Sequence, residues 1–235
     1  MKIGILQAGS ALPQLKESHG DFDVLFERLL CDDDFTFSCY RVLDGVFPNS
    51  VDECDAWLIT GSAFSAYEDH DWIRELERFI RDTYNNDIPI VGICFGHQVI
   101  AKALGGTVEK SKNGWGVGPH RYAFDGLEEP VVINAWHQDQ VTAVPGAAKV
   151  VGRSDFCVNA ALLYGRSAYT VQAHPELSNA FLTDLLKARS NIVPEQVRND
   201  AQQALLQEKP SANVVEQIKR FLKTRSLDMS GRTMN

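Results

Sequence analysis

A lone cysteine between two glycines, and a histidine followed two residues later by a glutamate, are the side chains of this sequence best suited to covalent chemistry. Cys94 stands in "GICFGHQ", where the apolar run Ile88 to Ile93 gives way to a helix-like repeat of Val99, Ile100, Ala103 and Leu104. A buried strand turning into a helix through G-x-C-x-G has the layout of a nucleophile elbow, although the better-known form carries serine. Gly92 and Gly96 lie two residues either side of Cys94, where side chains would collide as strand and helix fold back on each other. Such a turn also asks for backbone angles that glycine tolerates most easily. Sulfur at a helix N-terminus meets unpaired amides and the positive end of the helix dipole, which favour the thiolate. The competing reading of Cys94 is a small buried hydrophobe, the commoner fate of a lone cysteine.

A thiolate nucleophile needs a base, and the base needs an orienting group. Of the histidines at 19, 70, 97, 120, 137 and 174, His174 stands out because "VQAHPE" closes an apolar strand. Pro175 biases His174 toward an extended conformation. Residues two apart in an extended segment point the same way, so Glu176 projects alongside the imidazole. A strand that happens to end in HPE is the plain alternative, but its coincidence with the elbow points to a Cys94–His174–Glu176 triad. An oxyanion hole is the third requirement. The Phe95 amide, just after the nucleophile, supplies one donor. The loop in "LITGSAF" offers a second, with Gly61 allowing close backbone approach and the Ser62 amide turned to the site.

These residues need elements to position them. Ile3 to Leu6 reads as a strand, Asp21 to Leu30 as a helix, Phe35 to Leu43 and Ala56 to Thr60 as strands. Trp72, Leu76, Phe79 and Ile80 recur at helical spacing. Strands alternating with helices through residue 105 predict an α/β fold of parallel βαβ units. Beyond Gly106, "GTVEKSK", "HRYAFDG", "PVVINAWHQD", "AKVVGRS", "NAALLYG" and "AYTVQAHPE" read as short strands of an antiparallel extension. Helical patterns follow at about 195–208 and 213–224, the second with Val214, Ile218, Phe221 and Leu222 on one face. The tail "SLDMSGRTMN" is expected to fray. No repeat or long linker divides the chain, so residues 1–235 are expected to form one domain, with 195–235 a C-terminal helical extension.

Bulk properties narrow the function. The chain has 235 residues, 44% hydrophobic and 23% charged, ordinary values for a globular protein. A formal charge of −8 argues against a nucleic-acid partner. No apolar stretch is long enough to span a bilayer, and MKIGILQAGS reads as a first strand rather than a cleaved leader, so no membrane association is expected. Cys31, Cys39, Cys54, Cys94 and Cys157 show no CxxC spacing, which suggests neither disulfides nor zinc and fits a reducing cytoplasm. Asp32 to Asp34 forms no complete metal loop, so no metal is called for.

"GICFGHQ" and "HPE", in that order, resemble the anchor motifs of the class I (triad) glutamine amidotransferases, with similarity running to about residue 180. The resemblance implies a flavodoxin-like parallel sheet flanked by helices, with an added small antiparallel sheet. It implies a triad that releases ammonia from the glutamine side-chain amide through a γ-glutamyl thioester, without a cofactor. Gln98 occupies the place of the family's glutamine-contacting side chain. "NAWHQDQV" is similar to the segment whose backbone, around Trp136 and Gln138, holds the substrate's α-amino and α-carboxylate groups; His137 lies within it and shapes that segment or is a surface histidine. His97 reads as a structural hydrogen-bonder, and Trp115 as an aromatic wall near the pocket or part of a turn.

Relatives serving GMP synthesis usually carry Gly-Gly-Pro where this chain has Thr60-Gly61-Ser62. "ITGSAFSAYEDHDWI" with "HQDQV" looks more like a stand-alone subgroup that includes γ-glutamyl peptidases. Three readings therefore stand: a stand-alone glutaminase-type hydrolase, a γ-glutamyl peptidase, and a non-catalytic binding module on the same scaffold. No fused synthetase loop is present; a synthetase on a separate chain stays open as a partner.

Overall fold

The computed structural model describes residues 1–227; residues 228–235, most of the tail expected to fray, lie outside the described residues. Five strands, β1 (Lys2–Leu6), β2 (Thr36–Tyr40), β3 (Ala56–Ile59), β4 (Ile90–Ile93) and β11 (Ala168–Val171), pair in parallel in the order β2-β1-β3-β4-β11. This is the flavodoxin-like sheet. The alternation of side chains along each strand feeds two cores. Ala56 and Leu58 of β3 face one cluster, and Trp57 and Ile59 face the other.

Helices cover both faces. α2 (Phe22–Leu29) and α7 (Asn213–Thr224) close the first, where Val214, Ile218, Phe221 and Leu222 are all buried, as the spacing predicts. Gln217 fastens α7 through polar bonds, accepting from Tyr169 Oη at 3.1 Å and donating to the Asp125 carbonyl at 3.0 Å. α3 (Asp71–Asn85) and α4 (Phe95–Ala103) close the second face. A third cluster joins α1 (Pro13–His19), α5 (Asn179–Ala188) and α6 (Glu195–Gln207).

The antiparallel part has two pieces. β5 (Thr107–Lys110) pairs with β8 (Asp139–Ala143) as a separate ribbon. β10 (Ala161–Tyr164), β9 (Lys149–Arg153), β6 (Gly116–Phe124) and β7 (Val131–His137) extend the main sheet beyond β11. One expected antiparallel strand differs. "AYTVQAHPE" supplies β11, which pairs antiparallel with β10 as expected but runs parallel to β4 on its other side, with Val171 opposite Ile93. Its four strand residues are fully buried, as a strand covered on both faces must be. That placement sets His174 beside the cysteine turn. No helix among the described residues is long and apolar enough to cross a membrane.

Candidate active site

Loops leaving the carboxyl ends of β1, β3, β4 and β11 converge on one cavity of about 360 Å³, lined by Ser10, Gly61, Cys94 and His174 among others. Open parallel sheets bind ligands at this edge. Every residue expected in the site lines this cavity except Glu176, which lies behind His174 against a second, shallower depression.

Cys94 joins β4 to α4 at φ 54° and ψ −103°, left-handed backbone that few side chains adopt. Such a conformation costs roughly 1–3 kcal/mol and persists only where the surroundings enforce it. The expected strain thus falls on the cysteine, while Gly92 and Gly96 serve close packing. A Cβ on Gly92 would sit 2.5 Å from the Gly96 carbonyl, and one on Gly96 would sit 2.4 Å from the Ile59 oxygen. Bonds from the Cys94 amide to the Val171 carbonyl (2.9 Å) and from the Gln98 amide to the Cys94 carbonyl (3.1 Å) hold the turn from both sides.

Backbone against backbone cannot be relieved by a rotamer change. Gly96→Ala is therefore expected to push α4 off β3, lowering stability by about 3 kcal/mol. A displacement of the nucleophile approaching 1 Å would slow turnover about 100-fold. Gly146, with nothing within 4 Å of its would-be Cβ, is the matched control. Denaturant midpoints and initial rates decide it; a Gly96→Ala protein with wild-type values for both would show that the contact is not tight.

No side chain caps α4 at Cys94, and the Phe95 amide donates to no described group, nor do those of Gly61 and Ser62. Phe95, Gly61 and Ser62 line the same cavity as Cys94. Thr60 anchors the loop that carries two of them: its hydroxyl accepts from the Ala8 amide at 3.0 Å and donates to the Gly61 carbonyl at 3.0 Å. A Cβ on Gly61 would stand 3.0 Å from His174 Cε1 and 3.8 Å from Cys94 Cβ, so this loop needs glycine to pass the pair.

His174 donates from Nδ1 to Glu176 Oε1 at 2.6 Å, both side chains being almost wholly buried. Its amide donates to the Asn134 carbonyl at 2.8 Å, which fixes the segment against β7. The other ring nitrogen, Nε2, has no nitrogen or oxygen partner. Burial alone would lower the His174 pKa, but charge interaction and hydrogen bonding with Cys94 and Glu176 win and raise it well above 6.5. Both neighbours therefore favour the protonated imidazole over the neutral ring.

The other expected residues divide by role. Gln98 is buried and donates to the Asp139 carbonyl (2.8 Å) and to Gln172 Oε1 (3.0 Å). The Trp136 carbonyl lies 4.0 Å from the Cys94 sulfur, and its ring packs against Trp115 at 5.9 Å, so Trp115 forms a cavity wall. Gln138 lines the cavity beside them. His137 is buried, with Nδ1 3.1 Å from the Asp139 carbonyl and a pKa pushed down to about 3 by desolvation. It shapes the turn between β7 and β8 as a neutral ring. His97 is also neutral, lowered to about 3 by burial, and ties α4 to β11 through Thr170 at 2.8 Å.

Sequence reasoning missed Asp139, Lys110 and Arg189. Asp139 is the only carboxylate lining the cavity among the described residues, and it sits opposite Lys110 in the β5–β8 register. Ser65 Oγ and Tyr67 Oη donate to it at 2.5 and 3.1 Å, drawing the loop after β3 across the cavity mouth. The quoted "HQDQV" contained Asp139, but only the strand pairing brings Lys110 to it.

The profile described as "Glutamine amidotransferase class-I" matches residues 45–186, more than half of the chain. The chain belongs to the class I glutamine amidotransferase family. Among individual relatives, γ-glutamyl peptidase 2 of Arabidopsis thaliana is 28% identical, with 95% of this chain and 96% of that protein aligned. A glutamine-hydrolyzing GMP synthase chain of Halobacterium salinarum is 31% identical across 69% of this chain and 87% of that protein. The fold is similar to that of the glutamine amidotransferase structure from Methylobacillus flagellatus, with a TM-score of 0.75 at 19% identity, covering 96% of this chain and 92% of that one.

Proposed function

We propose that this amidotransferase-family chain is a cysteine hydrolase of γ-glutamyl amide bonds, with γ-glutamyl peptides or conjugates as its substrates. The observation that carries the reading is the convergence of Cys94 and a Glu176-bonded His174 on one cavity, where both neighbours raise the imidazole's pKa. Cys94 Sγ attacks the γ-carbonyl carbon, and the oxygen takes up negative charge facing the amides of Phe95 and Ser62, with Gly61 alongside. As the C–N bond breaks, His174 gives its proton to the departing nitrogen, leaving a γ-glutamyl thioester. Water then attacks the thioester, its proton passes to His174, and glutamate and the free thiolate are released. Glu176 holds the imidazole's tautomer and offsets its charge throughout.

Asp139 and Lys110 support the γ-glutamyl part of this assignment. A γ-glutamyl group carries an α-ammonium and an α-carboxylate side by side, and these residues present the opposite charges side by side. Substrate entry would replace the Ser65 and Tyr67 hydroxyls on Asp139 with the ammonium, while Gln98, Trp136 and Gln138 position the rest of the glutamyl chain. Asp139→Asn keeps the acceptor for the two hydroxyls but removes the charge. It is expected to raise KM by about 10- to 100-fold with kcat little changed, the size of one charge-assisted hydrogen bond. Steady-state kinetics check this; an unchanged KM would remove Asp139 from substrate binding.

The peptidase assignment draws on the near full-length match to a protein named γ-glutamyl peptidase. A second reading, glutamine as substrate with ammonia passed to a separate synthetase chain, draws on the match to a glutamine-hydrolyzing chain of GMP synthase. Comparing amine release from γ-glutamyl dipeptides with ammonia release from glutamine, by wild type and Cys94→Ala, separates them. Preference for dipeptides favours the peptidase. Turnover of neither, with no thioester trapped, leaves a binding module.

A further inference from the structure

We propose that the His174 side of the cavity receives a leaving group that is a short apolar peptide, and that Arg189 binds its free carboxylate. The inference rests on the hydrolase reading and deepens it by specifying what departs. The nitrogen that leaves must take its proton from His174, so the group attached to it lies on the imidazole's side of the sulfur. On that side Leu177, just before α5, Phe181 and Leu185 on it and Arg189 at its C-cap run outward from the triad segment, and Leu12 and Leu15 line the same cavity.

Ammonia has no use for this room. Apolar walls offer it no hydrogen bond, and a guanidinium at their end disfavours an ammonium ion. An apolar side chain gains by leaving water there, and a planar guanidinium suits a carboxylate, which it can hold through two parallel bonds. Arg189 is half-buried, and its side chain forms no ion pair or hydrogen bond with another described residue. Eight residues of helix place Arg189 about 12 Å beyond Phe181. An extended residue spans roughly 3.5 Å, so a leaving group of two or more residues carries its terminal carboxylate along this wall toward the arginine. Leu12, Leu15 and Arg189 lie outside the stretch 45–186 that matches the family profile, while Leu177, Phe181 and Leu185 lie within it. The other cation lining the cavity, Lys110, sits in register with Asp139 on the β5–β8 ribbon, away from α5.

The test compares γ-glutamyl-phenylalanyl-glycine with its C-terminal carboxamide. Wild type is expected to favour the free acid about tenfold in kcat/KM. The preference should fall to near unity in Arg189→Ala and return in part in Arg189→Lys. Calorimetric binding of the same two compounds to Cys94→Ala reads the contact without turnover. Equal handling of acid and carboxamide by wild type, or a preference that survives Arg189→Ala, overturns the role of Arg189. Should Cys94→Ala discriminate between the compounds while wild type cleaves neither, the hydrolase reading fails and the carboxylate site stands. Should wild type cleave both with equal efficiency, the reverse holds.

Discussion

Cys94→Ala is expected to lower γ-glutamyl amide hydrolysis by at least about 10⁴-fold while leaving the fold intact. Removing the nucleophile of a triad leaves only what binding and the oxyanion donors contribute, because the three members act as a unit. The substitution keeps the amide of residue 94 bonded to the Val171 carbonyl and takes away one sulfur atom at the cavity floor. Quenched intact-mass measurement on wild type should show a γ-glutamyl adduct, absent in the variant. Cys31 and Cys39 are the exposed thiols and must be excluded as the adduct's site by peptide mapping. Cys39 is a poor competitor, since desolvation, with the Asp23 charge adding to it, pushes its pKa up to about 11. A Cys94→Ala protein retaining more than a few per cent of wild-type turnover would end the thioester mechanism.

The second large effect concerns Glu176. Glu176→Gln keeps a hydrogen-bond acceptor for His174 Nδ1 but deletes a buried charge, so turnover should fall about 100- to 1,000-fold, less than for Cys94→Ala. Its diagnostic readout is the pH profile. The working form carries protonated His174, so activity is lost on the alkaline side as the imidazole gives up its proton. Against desolvation, Cys94 and then Glu176 hold that pKa well above 6.5, which puts the wild-type alkaline limb above neutrality. Deleting the Glu176 charge removes a raising influence, so the limb must move to lower pH, toward the value burial favours. Profiles of kcat/KM for both proteins check this. A limb that stays in place, or moves to higher pH, would show that His174 is not the group being titrated.

Parts of this arrangement were open to reading from the chain because their signals are local. β4 and α4 announce themselves by a change of apolar period across Cys94, and the glycine pair flanking it predicts the close approach that Gly92 and Gly96 make. His174 and Glu176 lie on one tripeptide, so their juxtaposition needed no knowledge of the fold. What was not legible depends on distant partners. β11 looks like its antiparallel neighbours, and only its register with β4 reveals its direction. Lys110 meets Asp139 through a strand pairing across many intervening residues. α1 is short, with Leu15 its one buried residue, and leaves little periodic trace. α5 did carry a signal, in Phe181, Leu182, Leu185 and Leu186 at i, i+1, i+4, i+5, overshadowed by the HPE motif just before it. The positive φ of Cys94 has no sequence mark, since it falls on the residue that glycine would otherwise suit.

The helix that closes the chain bears on how this protein can be divided. Residues 45–186 carry the family's recognisable signature, yet β1, which sits between β2 and β3, and α7, which seals the face beneath it, both fall outside those limits. A fragment cut at the signature's borders would lose β2 and β1, the two strands at one end of the sheet, and expose the apolar surface that Val214, Ile218, Phe221 and Leu222 now shield. What can be recognised by resemblance and what can fold as a cooperative whole are therefore different lengths of polypeptide, and the parallel sheet that carries the turn at Cys94 is complete only in the longer one.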